Sequence, residues 1–169
     1  MNRNCLNVQL IVVILVVAAV NLFAEDAPNT IPTIDGTYRL VSRVQLADST
    51  TVMPPDVVGM ATYQKEYRQT VIAWRDANGL VFASSVIAKY FLTDTSYTET
   101  IIYSATHDEI HSQPVKYNFE ERSLSVPLKK VGAKISFMLP FGPASLVFEK
   151  DKLTSTVEGV SVDSWERIK

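Results

Sequence analysis

The chain has 169 residues, with 16 basic side chains against 18 acidic ones and a single cysteine, for a formal net charge of −2. That balance lays down no electrostatic footprint for nucleic acid or an anionic membrane surface, so neither is expected as a partner. With 47% hydrophobic and 20% charged residues, the composition is that of a chain able to bury a core.

The first element is a targeting signal. Arg3 precedes an apolar run of eleven residues, LIVVILVVAAV at 10–20, and small Ala24 stands before acidic Glu25. A positive start, a short apolar core and a small-residue exit read as a secretory signal peptide over 1–24, placing the protein outside the cytosol, secreted or periplasmic. A membrane-spanning helix needs about 20 apolar residues, so no integral span is expected after cleavage. Cys5 would leave with the signal, and the mature chain would then hold no disulfide. Residues 25–33, rich in polar residues and proline, read as a flexible leader.

From 34 to 169 the pattern is one of short strands separated by turns. GTYRLVSRV alternates, with Tyr38, Leu40 and Val44 on one face and Thr37, Arg39 and Arg43 on the other. VGMATYQK and RQTVIAWRD follow, and ANG at 77–79 marks a hairpin turn. LVFASSVIAKYFLT and YTETIIYSA come next, joined by DTS. VKYNFEE, SLSVPLK, KISFMLPF, SLVFEK, KLTSTVE and VSVDSWERI complete the series. Thr, Val, Ile, Tyr and Phe dominate these runs, as strands require. SSVIAKYFL resembles a helix in length, but its β-branched and aromatic residues suit a strand. Eight to ten strands at hairpin spacing predict an all-β, antiparallel up-and-down barrel.

Two segments carry a family likeness. DGTYRLVS near the start of this region and SWERIK at its end resemble the opening and closing strands of bacterial lipocalin-like domains, calycin-type β-barrels. KYFLTDTSYTETIIYS is similar to a hairpin of the same family. The resemblance implies that Gly36 and Tyr38 stand for the family's Gly-x-Trp opening, with tyrosine in place of tryptophan. It implies that Arg167 packs across that ring at the closed end, and that Trp165 shares its strand face. These four residues would close the barrel rather than act on a ligand.

The segment HDEIH at 107–111 holds both histidines. The zinc-protease pattern is His-Glu-x-x-His on a helix, which sets both imidazoles on one face and a glutamate beside the metal-bound water. Here Asp108 occupies the glutamate position, Glu109 is displaced by one, and Pro114 follows, so the segment reads as a solvated loop. Extended, the two histidines would lie roughly 13 Å apart, too far to share one ion. No metal is expected. No cysteine nucleophile, Gly-x-Ser-x-Gly or phosphate-binding glycine run implies a cofactor either.

Binding residues are sought where alternation sets polar groups beside aromatic ones. Tyr97, Glu99, Ile101 and Tyr103 share a face in YTETIIY. Turned inward, Glu99 would be a buried carboxylate able to orient a ligand. The opposite register puts Thr98, Thr100 and Ile102 inside, and since acids are rarely buried it is the preferred one. Tyr63, Trp74 and Tyr90 are further lumen candidates, though ordinary core packing explains the same pattern.

The leading expectation is a lipocalin-like protein binding a small, largely apolar molecule in the barrel, with no catalytic residues. A small barrel enzyme of isomerase or hydrolase type, using Glu99 with a tyrosine, is the second. The third is a filled barrel meeting a protein partner through loops such as ADSTTVMPPD and LPFGP, with an apolar patch at 138–141 exposed. Against an outer-membrane barrel stand Arg39, Arg43, Lys89 and Arg167, which interrupt any continuous apolar outer band.

Overall fold

The structure is a computed structural model that describes residues 33–169. The signal peptide expected over 1–24, and all of the leader except its last residue, lie outside the described residues. Twelve strands follow in chain order: β1 (Gly36–Gln45), β2 (Thr51–Val52), β3 (Val57–Gln64), β4 (Tyr67–Arg75), β5 (Val81–Leu92), β6 (Ser96–Asp108), β7 (Gln113–Asn118), β8 (Arg122–Val131), β9 (Lys134–Met138), β10 (Ala144–Glu149), β11 (Lys152–Val157) and β12 (Ser161–Arg167). SSVIAKYFL lies in β5 as extended chain.

Ten of these strands form a closed antiparallel barrel. The order runs β1, β3, β4, β5, β6, β8, β9, β10, β11, β12, and β12 pairs back onto β1. β2 adds to β1 and β7 to β6 beside the main path. Closure leaves no open sheet edge along that path, and ten strands enclose a wider interior than eight. Connections are short hairpins. Lys65 and Glu66 join β3 to β4 with φ of 48° and 71°, the positive values that a two-residue turn needs to match strand twist. At the ANG turn, Asp76 Oδ1 accepts from the backbone N–H of Asn78 and Leu80 at 2.9 and 2.8 Å.

Alternation sets the interior as the sequence predicts, except at two bulges. In β3, Val57, Ala61 and Tyr63 are buried while Val58 and Met60 face out. In β1 the pairing with β12 slips between Leu40 and Ser42. The extra residue reverses the phase, so Arg43, expected on the outer face, is buried opposite Asp163. In β6 the pairing slips between Ile101 and Tyr103, opposite Ala88 and Ile87. Tyr97, Glu99 and Ile101 are buried, whereas Tyr103 pairs with exposed Ile87 and packs on Phe119 at 5.2 Å. Tyr103 therefore leaves the lumen face that strict alternation assigns it.

One end of the barrel is filled by rings. Tyr97 stacks on Phe137 at 4.0 Å, Phe137 on Phe148 at 5.8 Å, and Tyr90 on Tyr97 at 6.0 Å. Tyr38 and Tyr63 meet Phe148 edge-on at 5.6 and 5.1 Å. Arg167 seals the rim. Its Nη2 donates to the Tyr38 hydroxyl at 3.0 Å and to the Asp35 carbonyl, and its Cζ lies 5.4 Å from the Tyr38 ring centre. The Tyr90 hydroxyl donates to Asp35 Oδ1 at 2.6 Å, tying the entering chain to the same plug.

Candidate functional site

Beyond the aromatic plug the barrel is hollow. A partly open cavity of about 300 Å³ is walled by Ile72, Val86, Ile101 and Leu146 among others. The β9–β10 loop at 139–143 overhangs it, and Leu139 N–H donates to the Ala144 carbonyl at 2.8 Å at the base of that loop. Phe141 lines the cavity and receives the Arg122 guanidinium over its ring at 5.2 Å. Of the apolar patch expected at 138–141, only Met138 is strongly exposed, since Leu139 and Phe141 belong to the cavity wall.

The floor is polar. Tyr63 and Arg68 are cross-strand partners of β3 and β4, and both line the cavity beside Glu99 of β6. Arg68 Nη1 donates to Glu99 Oε2 at 2.7 Å, and the Tyr97 hydroxyl donates to the same oxygen at 2.6 Å. Arg68 Nε donates to Thr70 Oγ1 at 3.2 Å. Glu99 is only 1% exposed, so the register that puts it in water is overturned. The reason is its partners: a carboxylate is tolerated inside when paired and hydrogen-bonded. Burial pushes the Tyr63 phenol up to about 12, with Arg68 opposing the rise and Glu99 adding to it. Burial, followed by Tyr63 and Glu99, raises the Tyr97 phenol further. For Arg68, burial works against the charge, but neighbouring Tyr63 and Glu99 outweigh it, and the guanidinium is held above its ordinary value.

A second buried pair lies higher in the wall. Arg43 Nε and Nη2 donate to Asp163 Oδ1 and Oδ2 at 2.7 and 2.8 Å. The Arg43 Cζ sits 4.0 Å over the Trp74 ring, which stacks on its cross-strand partner Phe82 at 4.1 Å. Trp165, two residues beyond Asp163, completes this wall, and its Nε1 is buried with no acceptor among the described residues.

The residues proposed from sequence thus separate. Tyr63, Trp74 and Glu99 line the cavity. Tyr90 and Tyr97 belong to the plug beneath it, and Tyr103 lies outside on Phe119. Gly36, Tyr38 and Arg167 meet at the closed rim, whereas Trp165 lies on the cavity wall. Arg43, Arg68 and Asp163 were not singled out. Asp163 carried a signal, because alternation from Trp165 through Asp163 to Ser161 gives one face, and all three are buried. Arg68 carried the same kind of signal, because alternation from Trp74 through Ile72 and Thr70 ends on Arg68, and all four line the cavity.

The HDEIH segment ends β6 and turns toward β7. His107 Nε2 lies 3.4 Å from Glu109 Oε1 and His111 Nδ1 lies 2.9 Å from Asp108 Oδ2, so each imidazole meets a different acid. Glu109 Oε2 also accepts from Val81 N–H at 2.9 Å, fastening the turn to β5. Among the described residues no three ligand-type side chains converge on one point.

Comparison with protein-family models, with curated protein sequences and with solved structures finds no match to this chain. The chemistry of the cavity is therefore what points to a function.

Proposed function

We propose that the protein is a secreted or periplasmic lipocalin-like barrel, its residues 1–24 removed as a signal peptide, that carries a small and largely apolar molecule. The observation that supports this most is the division of the interior into an aromatic plug and a partly open cavity of about 300 Å³. That volume is at the lower end of small-ligand sites, which are mostly apolar with a few placed polar groups.

Binding is favoured over catalysis by the state of the polar floor. Glu99 is already engaged by Arg68 and Tyr97 through one oxygen, and burial raises the Tyr97 phenol well above its ordinary value. The Tyr97 phenol is therefore not poised for proton transfer near neutral pH, where a general acid or base works best.

The test is uptake of a neutral naphthylamine fluorophore by the mature protein, compared with the cavity-filling variant Ile72→Trp. Saturable fluorescence enhancement that the variant loses, with its circular dichroism unchanged, is the expected result. No saturable uptake, or equal uptake by the filled variant, overturns the carrier. Intact mass of the protein from its own source tests the export signal, with loss of residues 1–24 expected and retention contrary to it.

A further inference from the structure

The two buried ion pairs differ in one respect that bears on the ligand. Arg43 and Asp163 satisfy each other fork to fork, with both carboxylate oxygens taken. Arg68 and Glu99 touch through one contact alone. The Tyr97 hydroxyl and Arg68 Nη1 both go to Oε2, so Oε1 of Glu99 has no donor among the described residues. Arg68 directs Nε to Thr70 and Nη1 to Glu99, the Tyr63 phenol stands against the same guanidinium, and Nη2 makes no hydrogen bond of good geometry among the described residues. Among the described residues the side-chain atoms sealed from solvent without a partner are Trp165 Nε1 and Arg167 Nε. Nη2 and Oε1 are not among them, and both residues line the cavity.

The floor therefore offers a donor on Arg68 and an acceptor on Glu99, two residues that touch each other and both line the cavity. Leaving such groups unpaired when a ligand displaces water costs on the order of 1–3 kcal/mol each, more for charged groups. A ligand matching both would avoid that cost. The formal charges around the cavity cancel, Arg43 and Arg68 against Glu99 and Asp163. A carboxylate accepting from Nη2 would face Oε1 of Glu99, and an ammonium donating to Oε1 would face the Arg68 guanidinium. Either ion would also lose its hydration without a surplus of opposite charge to replace it.

We propose that the cavity selects an uncharged molecule whose polar head both accepts and donates a hydrogen bond, a hydroxyl or a carboxamide, with the head seated between Arg68 Nη2 and Glu99 Oε1. The proposal rests on the small-molecule-binding reading above and narrows it. The apolar body of the ligand lies against Ile72, Ile101 and Leu146.

Calorimetric titration with one ring system and four heads tests it: 2-naphthol, 2-naphthoate, 2-naphthylmethylammonium and 2-methylnaphthalene. Naphthol is expected to bind about tenfold or more tightly than methylnaphthalene, the gain of two hydrogen bonds to charged groups. Naphthoate and the ammonium are expected to bind more weakly than the hydrocarbon. The variant Glu99→Gln keeps the Arg68 contact but leaves the cavity with one net positive charge, and it is expected to raise naphthoate affinity by about tenfold or more. That gain is a readout a merely structural glutamate would not produce. Equal binding of all four heads, or naphthoate bound best by the unmodified protein, overturns the head-group selection while leaving the carrier intact. Binding of none of the four removes the carrier itself.

Discussion

The guanidinium of Arg167 lies so close across the Cα of Gly36 that a β-carbon there would stand 2.8 Å from Nε. Gly36 also has φ of +146°, a region that side-chain-bearing residues rarely adopt. Gly36→Ala therefore meets two obstacles, one steric and one in the backbone. It is expected to destabilise the barrel by about 2–4 kcal/mol, read as a lowered urea midpoint. Arg167→Ala in the same chain should restore only the steric share, because the backbone strain stays. Full recovery in the double variant would assign the glycine to the arginine alone.

Gly59 makes a similar accommodation without backbone strain. A β-carbon at Gly59 would lie 2.7 Å from Trp165 Cη2 and 3.2 Å from the Val71 carbonyl oxygen. Gly59→Ala should cost about 1–3 kcal/mol as overpacking. Trp165→Phe removes the clashing edge of the indole, and it forfeits no hydrogen bond, since Nε1 has no acceptor among the described residues. The two substitutions should thus be non-additive, with Gly59→Ala cheaper once Trp165→Phe is in place. Strict additivity in a double-mutant cycle would show that the ring has moved away from Gly59.

Much of this barrel is legible in the sequence because a half-buried strand writes its face with a period of two. GTYRLV, VGMATY and VSVDSW all alternate as their burial does. What period-two reading misses is the bulge, one unpaired residue whose existence depends on the partner strand. The slip after Leu40 carried Arg43 inside, and the slip beyond Ile101 carried Tyr103 outside. Glu99 shows a different limit. A rule that acids stay in water decides correctly only when no partner is folded against them, and its partner Arg68 arrives from β4, across the whole width of β5. Nothing local to YTETIIY announces that arginine.

The pair Arg43–Asp163 should behave as a buried and closed ion pair. Its side chains are 9% and 4% exposed, so removing one partner strands the other in a medium that solvates it poorly. Arg43→Met is expected to destabilise by about 3–5 kcal/mol, whereas Arg43→Met with Asp163→Leu should regain most of that loss. Equilibrium denaturation of the two single variants and the double variant checks it. A cost below about 1 kcal/mol for Arg43→Met would mean that Asp163 finds solvent in the folded barrel.

Alkaline pH should unfold the barrel through its plug and floor. Burial, first among the causes, raises the Tyr63 phenol from 10.0 to about 12. Tyr90 and Tyr97 are raised as well, burial leading in both, with the hydrogen bond to Asp35 adding at Tyr90 and the Tyr63 and Glu99 charges at Tyr97. A group whose folded value lies above its unfolded one keeps its proton longer when folded. The stability this provides is fully present below pH 10.0 and is lost as pH climbs through the folded value, about 12 for Tyr63. Across that window each such phenol weakens folding by up to about 1.4 kcal/mol per pH unit. Phenolate absorbance followed alongside circular dichroism should show these tyrosines ionising together with loss of the barrel. Tyr63→Phe removes one titrating group and should make the alkaline loss shallower, and an unchanged slope would place the Tyr63 hydroxyl in contact with solvent.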